Sequence, residues 1–429
     1  MTETIRNLQY LFFLSVLVAV FASCQKGTVN DSDSGISDAA DAYMDDGEHA
    51  GSDAGMDAGT DDIPDAGTDA GSDTGSDAGT DAGADTGGDE HQSEVFSFLV
   101  YGDSRSGGDC SGNQVHISLI QRMVQESNVS FVVNVGDMVT GYDDSTCFAS
   151  DGSCTGDADY GDLSRIIQPL SSRAPAPGLP AYYFPVIGNH EEGDEWYPDP
   201  CGGHICDVFD MASLINHPTP NNDPCGDDYP DFSYYSFNFG HVAFFVLRAN
   251  YDYFNFFDCN YPPDGWESCD DYCRNGPRDS QLYETCWNVH QYDWLKNGLE
   301  QADADPSITR KIIFLHAPIY TSFEDHTPFT SAMDVAKLAD EYHVSLVLNG
   351  HNHCYERTYP IKADTQDPTG TTYITTSGGG VEMYDASGDW FTAAHSGEHH
   401  YTRIDINENS ITGQAIAEDG SVIDSFTLP

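Results

Sequence analysis

The chain has 429 residues, 71 Asp and Glu against 16 Lys and Arg, a formal charge of −55 and 12 cysteines. So acidic a protein cannot neutralise phosphates at low electrostatic cost, which excludes nucleic-acid binding through a basic patch and a polybasic membrane-surface role. A phosphorylated substrate stays open, provided bound metal ions supply local positive charge.

The first feature along the chain is an apolar stretch, Tyr10 to Ala22 (YLFFLSVLVAVFA), followed closely by Cys24. It falls short of the ~20 residues of a comfortable membrane span and suits the h-region of a secretory signal. Phe21-Ala22-Ser23-Cys24 resembles a bacterial lipobox, with Phe21 where Leu is usual. The resemblance implies a lipoprotein-type signal peptide over 1–24 and lipidation of Cys24. With Gln25 after it, and not Asp, it implies an exported lipoprotein on the outer membrane, periplasmic or at the cell surface. The alternative is an ordinary signal peptide cut nearby, with Cys24 incidental.

Residues 25–93 form an Asp/Ala/Gly-rich tether, with 19 acidic residues and no Lys or Arg between Gly27 and Ser93. Such a segment cannot bury enough apolar surface to offset its ordering entropy and is expected to be disordered. Its Asp repeats lack the spacing of a calcium-binding EF-hand, so a solvated spacer is the reading. The rest, 94–429, reads as one domain.

Within that domain, Phe96–Tyr101 is an apolar run ending in Gly-Asp. Val115–Val124 has helical spacing, Phe131–Val135 is a buried-strand run ending in Gly-Asp, and Tyr182–Ile187 repeats the pattern with Gly-Asn-His. A loop-rich insert covers Asp194–Pro230. Phe232–Asn250 reads as a hairpin turning at Gly240-His241, and a cysteine-rich insert covers Tyr251–Thr285. Val289–Ala304 and Ser331–Tyr342 read as helices. Ile312–Leu315 is a strand ending in His316, and Val344–Leu348 is a strand ending in Asn-Gly-His. From Thr371 the chain is strand-rich, with hairpin turns expected at Gly378-Gly379-Gly380 and Asp419-Gly420. Alternating strands and helices followed by strands argue for an α/β fold with a sandwiched sheet pair.

Eleven cysteines follow Cys24, mostly in Gly/Asp/Asn/Pro-rich loops, and in an exported protein they read as disulfide staples of the two inserts. The odd number leaves at least one free or paired between molecules. Cys354 is our choice for a free buried thiol; the competing pairing is Cys110–Cys354.

Polar residues gather where the apolar runs stop. Gly102-Asp103-Ser104-Arg105, Gly136-Asp137, Gly188-Asn189-His190-Glu191, His316 and Gly350-His351-Asn352-His353 each end one strand-like run. In open α/β sheets, ligands sit at the carboxyl ends of strands, and a preceding glycine lets the backbone turn sharply. Oxygen donors mixed with imidazoles suit a pair of metal ions, with Asp137 able to bridge them.

FLVYGDSRSG, VVNVGDMV, FPVIGNHE, IIFLHAPIY and VLNGHNHCYERTYPI resemble the calcineurin-like metallophosphoesterase superfamily, most closely its purple-acid-phosphatase-like bacterial members. The resemblance covers about Phe96 to Leu428. It implies a four-layer αββα sandwich with a metal pair (Fe, Zn or Mn) at one edge, and hydrolysis of a phosphate ester by a metal-bound hydroxide. Carried over by position, one metal takes Asp103, Asp137 and His353, and the other takes Asp137, Asn189, His316 and His351. His190 matches the residue that contacts the phosphate and protonates the leaving oxygen, and His326 matches a substrate-facing histidine. The chain departs from the family in two places. Asp103-Ser104-Arg105 stands for the usual Asp-x-His, and Thr140 stands where purple acid phosphatases carry a tyrosine ligand, with Tyr142 two residues too late to replace it. Arg105 has two readings, a clamp on a phosphate oxygen or a salt bridge to a nearby Asp. The alternative function is a non-catalytic cell-surface binding protein that keeps the fold.

Overall fold

The computed structural model describes residues 95–105, 110–140, 158–191, 205–219, 233–248, 287–323, 332–384 and 386–429. Expectations for the signal peptide, Cys24, the tether, Tyr142, His326 and most of the two inserts fall outside them. In chain order the elements are β1 (Phe96–Tyr101), α1 (Cys110–Met123), β2 (Val129–Asn134), α2 (Ala158–Ser171) and β3 (Tyr183–Pro185). Next come the short α3 (Ile205–Val208) and α4 (Met211–Leu214), β4 (Tyr235–Phe239), β5 (Val242–Val246), α5 (Trp287–Ala304), β6 (Arg310–Phe314), α6 (Ala332–Glu341) and β7 (Leu346–Asn349). The chain ends with β8 (Tyr355–Thr358), β9 (Ile361–Lys362), β10 (Thr365–Gln366), β11 (Thr372–Thr376), β12 (Thr392–Ser396), β13 (His400–Ile406), β14 (Ile411–Ala417) and β15 (Val422–Leu428).

Two sheets carry the fold, one in the order β15-β14-β13-β1-β2-β3 and one in the order β12-β8-β11-β7-β6-β5-β4. β1, β2 and β3 run parallel, as do β5, β6, β7 and β11. Parallel neighbours need a long crossover, which α1, α2, α5 and α6 supply. Side chains alternate between the faces of a strand. On β5 to β7, Phe244, Val246, Ile312, Phe314 and Leu348 join the core shared with the first sheet. Their neighbours Phe245, Leu247, Ile313 and Val347 join a second core with Leu295 and Leu299 of α5 and Leu338 of α6. β1 repeats the division. The Phe98 ring lies 5.6 Å from that of Phe244 in the other sheet, whereas Tyr101 Oη meets His116 Nε2 of α1 at 2.9 Å. The layers are therefore helices, sheet, sheet, helices.

The inter-sheet core is largely aromatic. Phe131 stacks on Phe98 at 4.9 Å and meets Phe244 edge-on at 5.3 Å, and Phe184 stacks on Phe237 at 4.2 Å. Such pairs contribute about 0.5–1.5 kcal/mol each beyond their burial, and they hold the sheets in fixed register.

Two expectations need correction. Gly378-Gly379-Gly380 is not a hairpin turn, because β11 pairs with β7 and β8 while β12 pairs on the far side of β8. The glycines instead allow close approach: Gly379 N–H donates to the Gly102 carbonyl at 2.8 Å. The insert Asp194–Pro230 holds α3 and α4, which its sequence does not announce, and Gly161 and Pro169 mask the helical spacing of α2. The hairpins at Gly240-His241 and Asp419-Gly420 are present. Cys354 is a free, buried thiol, so it forms no bridge with Cys110. Cys206 is disulfide-bonded.

Candidate metal centre

Asp103 follows β1, Asp137 follows β2, and Asn189 and His190 follow β3 in the first sheet. His316 follows β6, and His351 and His353 follow β7 in the second. All seven therefore sit beyond the carboxyl ends of parallel strands, and the seam between the sheets brings them together.

The backbone is bent to make them converge. Asp103, Asp137 and His351 have φ of 57°, 52° and 72°, the left-handed region that costs a non-glycine residue about 1–3 kcal/mol each. Surrounding bonds hold the bends. Asp103 N–H donates to the Gly136 carbonyl at 2.8 Å, and the Asp103 carboxylate accepts the His351 N–H at 3.0 Å. Gly136 itself has φ 99°, and a Cβ there would lie 2.6 Å from His316 Nδ1.

Asp137, His316 and His351 each place one ligand atom within 4.8 Å of the other two. Asn189 Oδ1 stands among them, 3.1 Å from His316 Nε2 and 3.1 Å from His351 Nδ1. His316 Nε2 is 3.1 Å from Asp137 Oδ1, while its Nδ1 donates to the Val135 carbonyl at 2.8 Å. Beside this group, His353 Nε2 lies 3.8 Å from Asp103 Oδ1. His353 Nδ1 donates to the Glu382 carbonyl at 2.9 Å, so the lone pair of Nε2 faces the site. That nitrogen is buried without a hydrogen-bond partner. An orphaned imidazole nitrogen and two buried carboxylates beside a carboxamide oxygen fit metal ions well.

Electrostatics point the same way. Burial, with Asp137 adding to it and His316 opposing, pushes Asp103 up to about 7. Burial would raise Asp137 too, but His316, His190 and Arg105 hold it well below the usual carboxylate range. Burial would lower His316, yet the Asp137 charge and hydrogen bond lift it to about 9. Burial, helped by the Arg105 charge, drives His353 down to about 3, so its imidazole is neutral. A buried site with two carboxylates is a strong attractor for cations.

His190 donates Nδ1–H to the Thr140 carbonyl at 2.6 Å and turns Nε2 to within 3.7 Å of Asp137 Oδ2. Arg105 Nη2 lies 3.4 Å from the same oxygen, so in this structure it makes the salt bridge that was one of its two readings. Its side chain keeps 29% of its exposure, at the rim of the site.

Two further residues shape the centre. Glu191 is buried and accepts four backbone N–H groups: Asp137 at 2.9 Å, Gly188 at 2.7 Å, Met138 at 2.6 Å and Val139 at 3.2 Å. It ties the Asp137 loop to the Asn189 loop. Its place in Gly-Asn-His-Glu was the available signal. Tyr384, stacked on His353 at 4.3 Å, carried none.

Residues 88–355 match the calcineurin-like phosphoesterase family model. The chain is 31% identical over 156 residues to purple acid phosphatase 23 of Arabidopsis thaliana, covering 35% of this chain and 27% of that protein. It is 29% identical over 174 residues to acid phosphatase type 7 of Danio rerio, covering 32% and 39% of the two chains. It thus spans little more than a quarter to two-fifths of these two relatives. In fold it is similar to a purple acid phosphatase from yellow lupin (Lupinus luteus) seeds, with a TM-score of 0.53 at 18% identity over 79% of this chain and 54% of that one. The chain belongs to the calcineurin-like phosphoesterase family, with relatives among the purple acid phosphatases.

Proposed function

We propose that the chain is an exported phosphoesterase that hydrolyses phosphate esters with a metal pair held at the sheet seam. The observation that carries this reading is the convergence of Asp137, Asn189, His316 and His351 on one point, with Asp103 and His353 beside it. Asp103, Asp137 and His353 would hold one ion; Asp137, Asn189, His316 and His351 would hold the other, drawn from Fe, Zn or Mn. When bound, such a pair supplies Lewis acidity, lowering the pKa of water and offsetting phosphate charge. His190, fixed through Nδ1, would present Nε2 to the ester and, in its imidazolium form, give the Nε2 proton to the leaving oxygen. Arg105 leaves Asp137 to take a phosphate oxygen, for which its planar fork is suited.

Metal analysis with hydrolysis of 4-nitrophenyl phosphate tests the reading. His351→Ala and Asn189→Ala are each expected to lose hydrolysis and one metal equivalent while the fold survives, since both lie on loops beyond strand ends. Normal turnover by a folded, metal-depleted Asn189→Ala protein would sink the assignment. A metal-loaded wild type that turns over no ester in a broad panel would leave a binding protein instead.

Export and anchoring rest on the sequence alone: the apolar stretch before Cys24 and the acidic tether after it. A flexible chain of this kind spans about 5–6 Å × √n, and repulsion among its carboxylates extends it further, holding the domain clear of the outer membrane. An unmodified N-terminus downstream of Cys24, found by mass spectrometry, would remove the anchor from the proposal.

A further inference from the structure

The segment 378–384 leaves β11 and passes over the Asp103 and His353 side of the centre. Gly379 N–H donates to the Gly102 carbonyl at 2.8 Å, and Val381 N–H donates to the Asp103 carbonyl at 3.2 Å. The Glu382 carbonyl accepts His353 Nδ1–H at 2.9 Å, and Tyr384 N–H donates to the His353 carbonyl at 2.7 Å. The Tyr384 ring then lies on the imidazole itself, with centroids 4.3 Å apart and planes 24° from parallel. Phe323 stacks on Tyr384 in turn, at 4.8 Å and 10°. The covalent Cβ–Cγ bond and the hydrogen bond to Glu382 hold the imidazole at two points and leave a small tilt of its plane. The stacked Tyr384 ring opposes that tilt.

We propose that Tyr384 is a positioning residue for the first metal ion: backed by Phe323, it sets the plane of the His353 imidazole and thereby the affinity of that ion. The inference rests on the reading of His353 as a ligand. An imidazole binds a metal along its lone pair, in the ring plane, so a tilt of the ring takes the nitrogen off the metal axis. Groups that orient a ligand in this way change metal affinity by about 10- to 100-fold.

The test is titration with Zn2+ alone, in competition with a chromophoric chelator. Wild type is expected to show two binding phases, of which His353→Ala removes the first-site phase and Asn189→Ala the other. Tyr384→Leu is expected to weaken the first-site phase by about 10- to 100-fold and to leave the other within roughly threefold. Tyr384→Phe, which keeps the ring, is expected to stay within roughly threefold at both. Phe323→Leu is expected to weaken the first-site phase less than Tyr384→Leu, and it decides the matter if that variant does not fold. An unchanged first-site phase in Tyr384→Leu, equal weakening of both phases, or a Tyr384→Phe loss as large as the Leu loss would overturn the inference. If His353→Ala keeps both phases, the ligand assignment itself fails, and that outcome is visible before Tyr384 is touched.

Discussion

Replacing Glu191 by Gln would keep its shape and change only what it can accept. The carboxylate takes N–H groups from Asp137 and Gly188 on Oε2 and from Met138 and Val139 on Oε1. An amide has one oxygen, so whichever way it turns, its NH2 faces two of these donors. Each buried N–H left without an acceptor costs about 1–3 kcal/mol, which puts the substitution at about 2–6 kcal/mol. At about 2 °C per kcal/mol for a domain of this size, Tm should fall on the order of 4–12 °C. The loss should also reach the metals, because the unpaired amides belong to the loops that carry Asp137 and Asn189. Calorimetry and metal analysis at constant pH read both effects, and Glu191→Asp serves as the milder variant. A Glu191→Gln protein that melts within a degree of wild type and keeps its full metal content would refute the argument that this carboxylate joins the two loops.

The isolated, iron-loaded protein is expected to lack a visible tyrosinate charge-transfer band, since Thr140 stands where purple acid phosphatases carry a tyrosine and uses its carbonyl to hold His190; a band abolished by Tyr142→Phe would contradict this. His116 and His400 are fully buried, and burial lowers them to about 3 and about 4. A depressed imidazole is neutral when folded and takes a proton on unfolding, so its stabilising effect is complete above ~6.5 and is lost as pH falls towards the folded value. Between pH 6.5 and 5 the loss should be about 2 kcal/mol for each, and His400→Gln should remove its share from the difference between urea midpoints at the two pH values; an unchanged difference would refute it. Cys354 should react with an alkylating reagent only after denaturation, because its thiol is buried and burial raises its pKa; rapid labelling of the native protein would contradict that placement.

The candidate ligand positions were legible because each follows an apolar run closed by Gly-Asp, Gly-Asn-His, a lone His or Gly-His-Asn-His, and a strand's end is a local property of sequence. The geometry among them was not. Nothing near Glu191 in sequence says that three of its four partners are backbone amides around Met138, more than fifty residues earlier. The three glycines after β11 read as a turn because turn chemistry and close backbone packing use the same residue. Only the pairing of β8 between β11 and β12 separates the two. Arg105 has two readings in the sequence for a similar reason, because the distance to Asp137 depends on how β1 and β2 lie side by side.

The division of the centre between the sheets has a consequence for how the protein acquires metal. The strands of the first sheet carry Asp103, Asp137 and Asn189, all oxygen donors; those of the second carry His316, His351 and His353, all nitrogen donors. Neither half alone offers the mixed set, and a sheet that forms before its partner presents only a weak oxygen cluster or a bare trio of imidazoles. The mixed-donor site proposed for the ions would therefore exist only once both sheets are packed together.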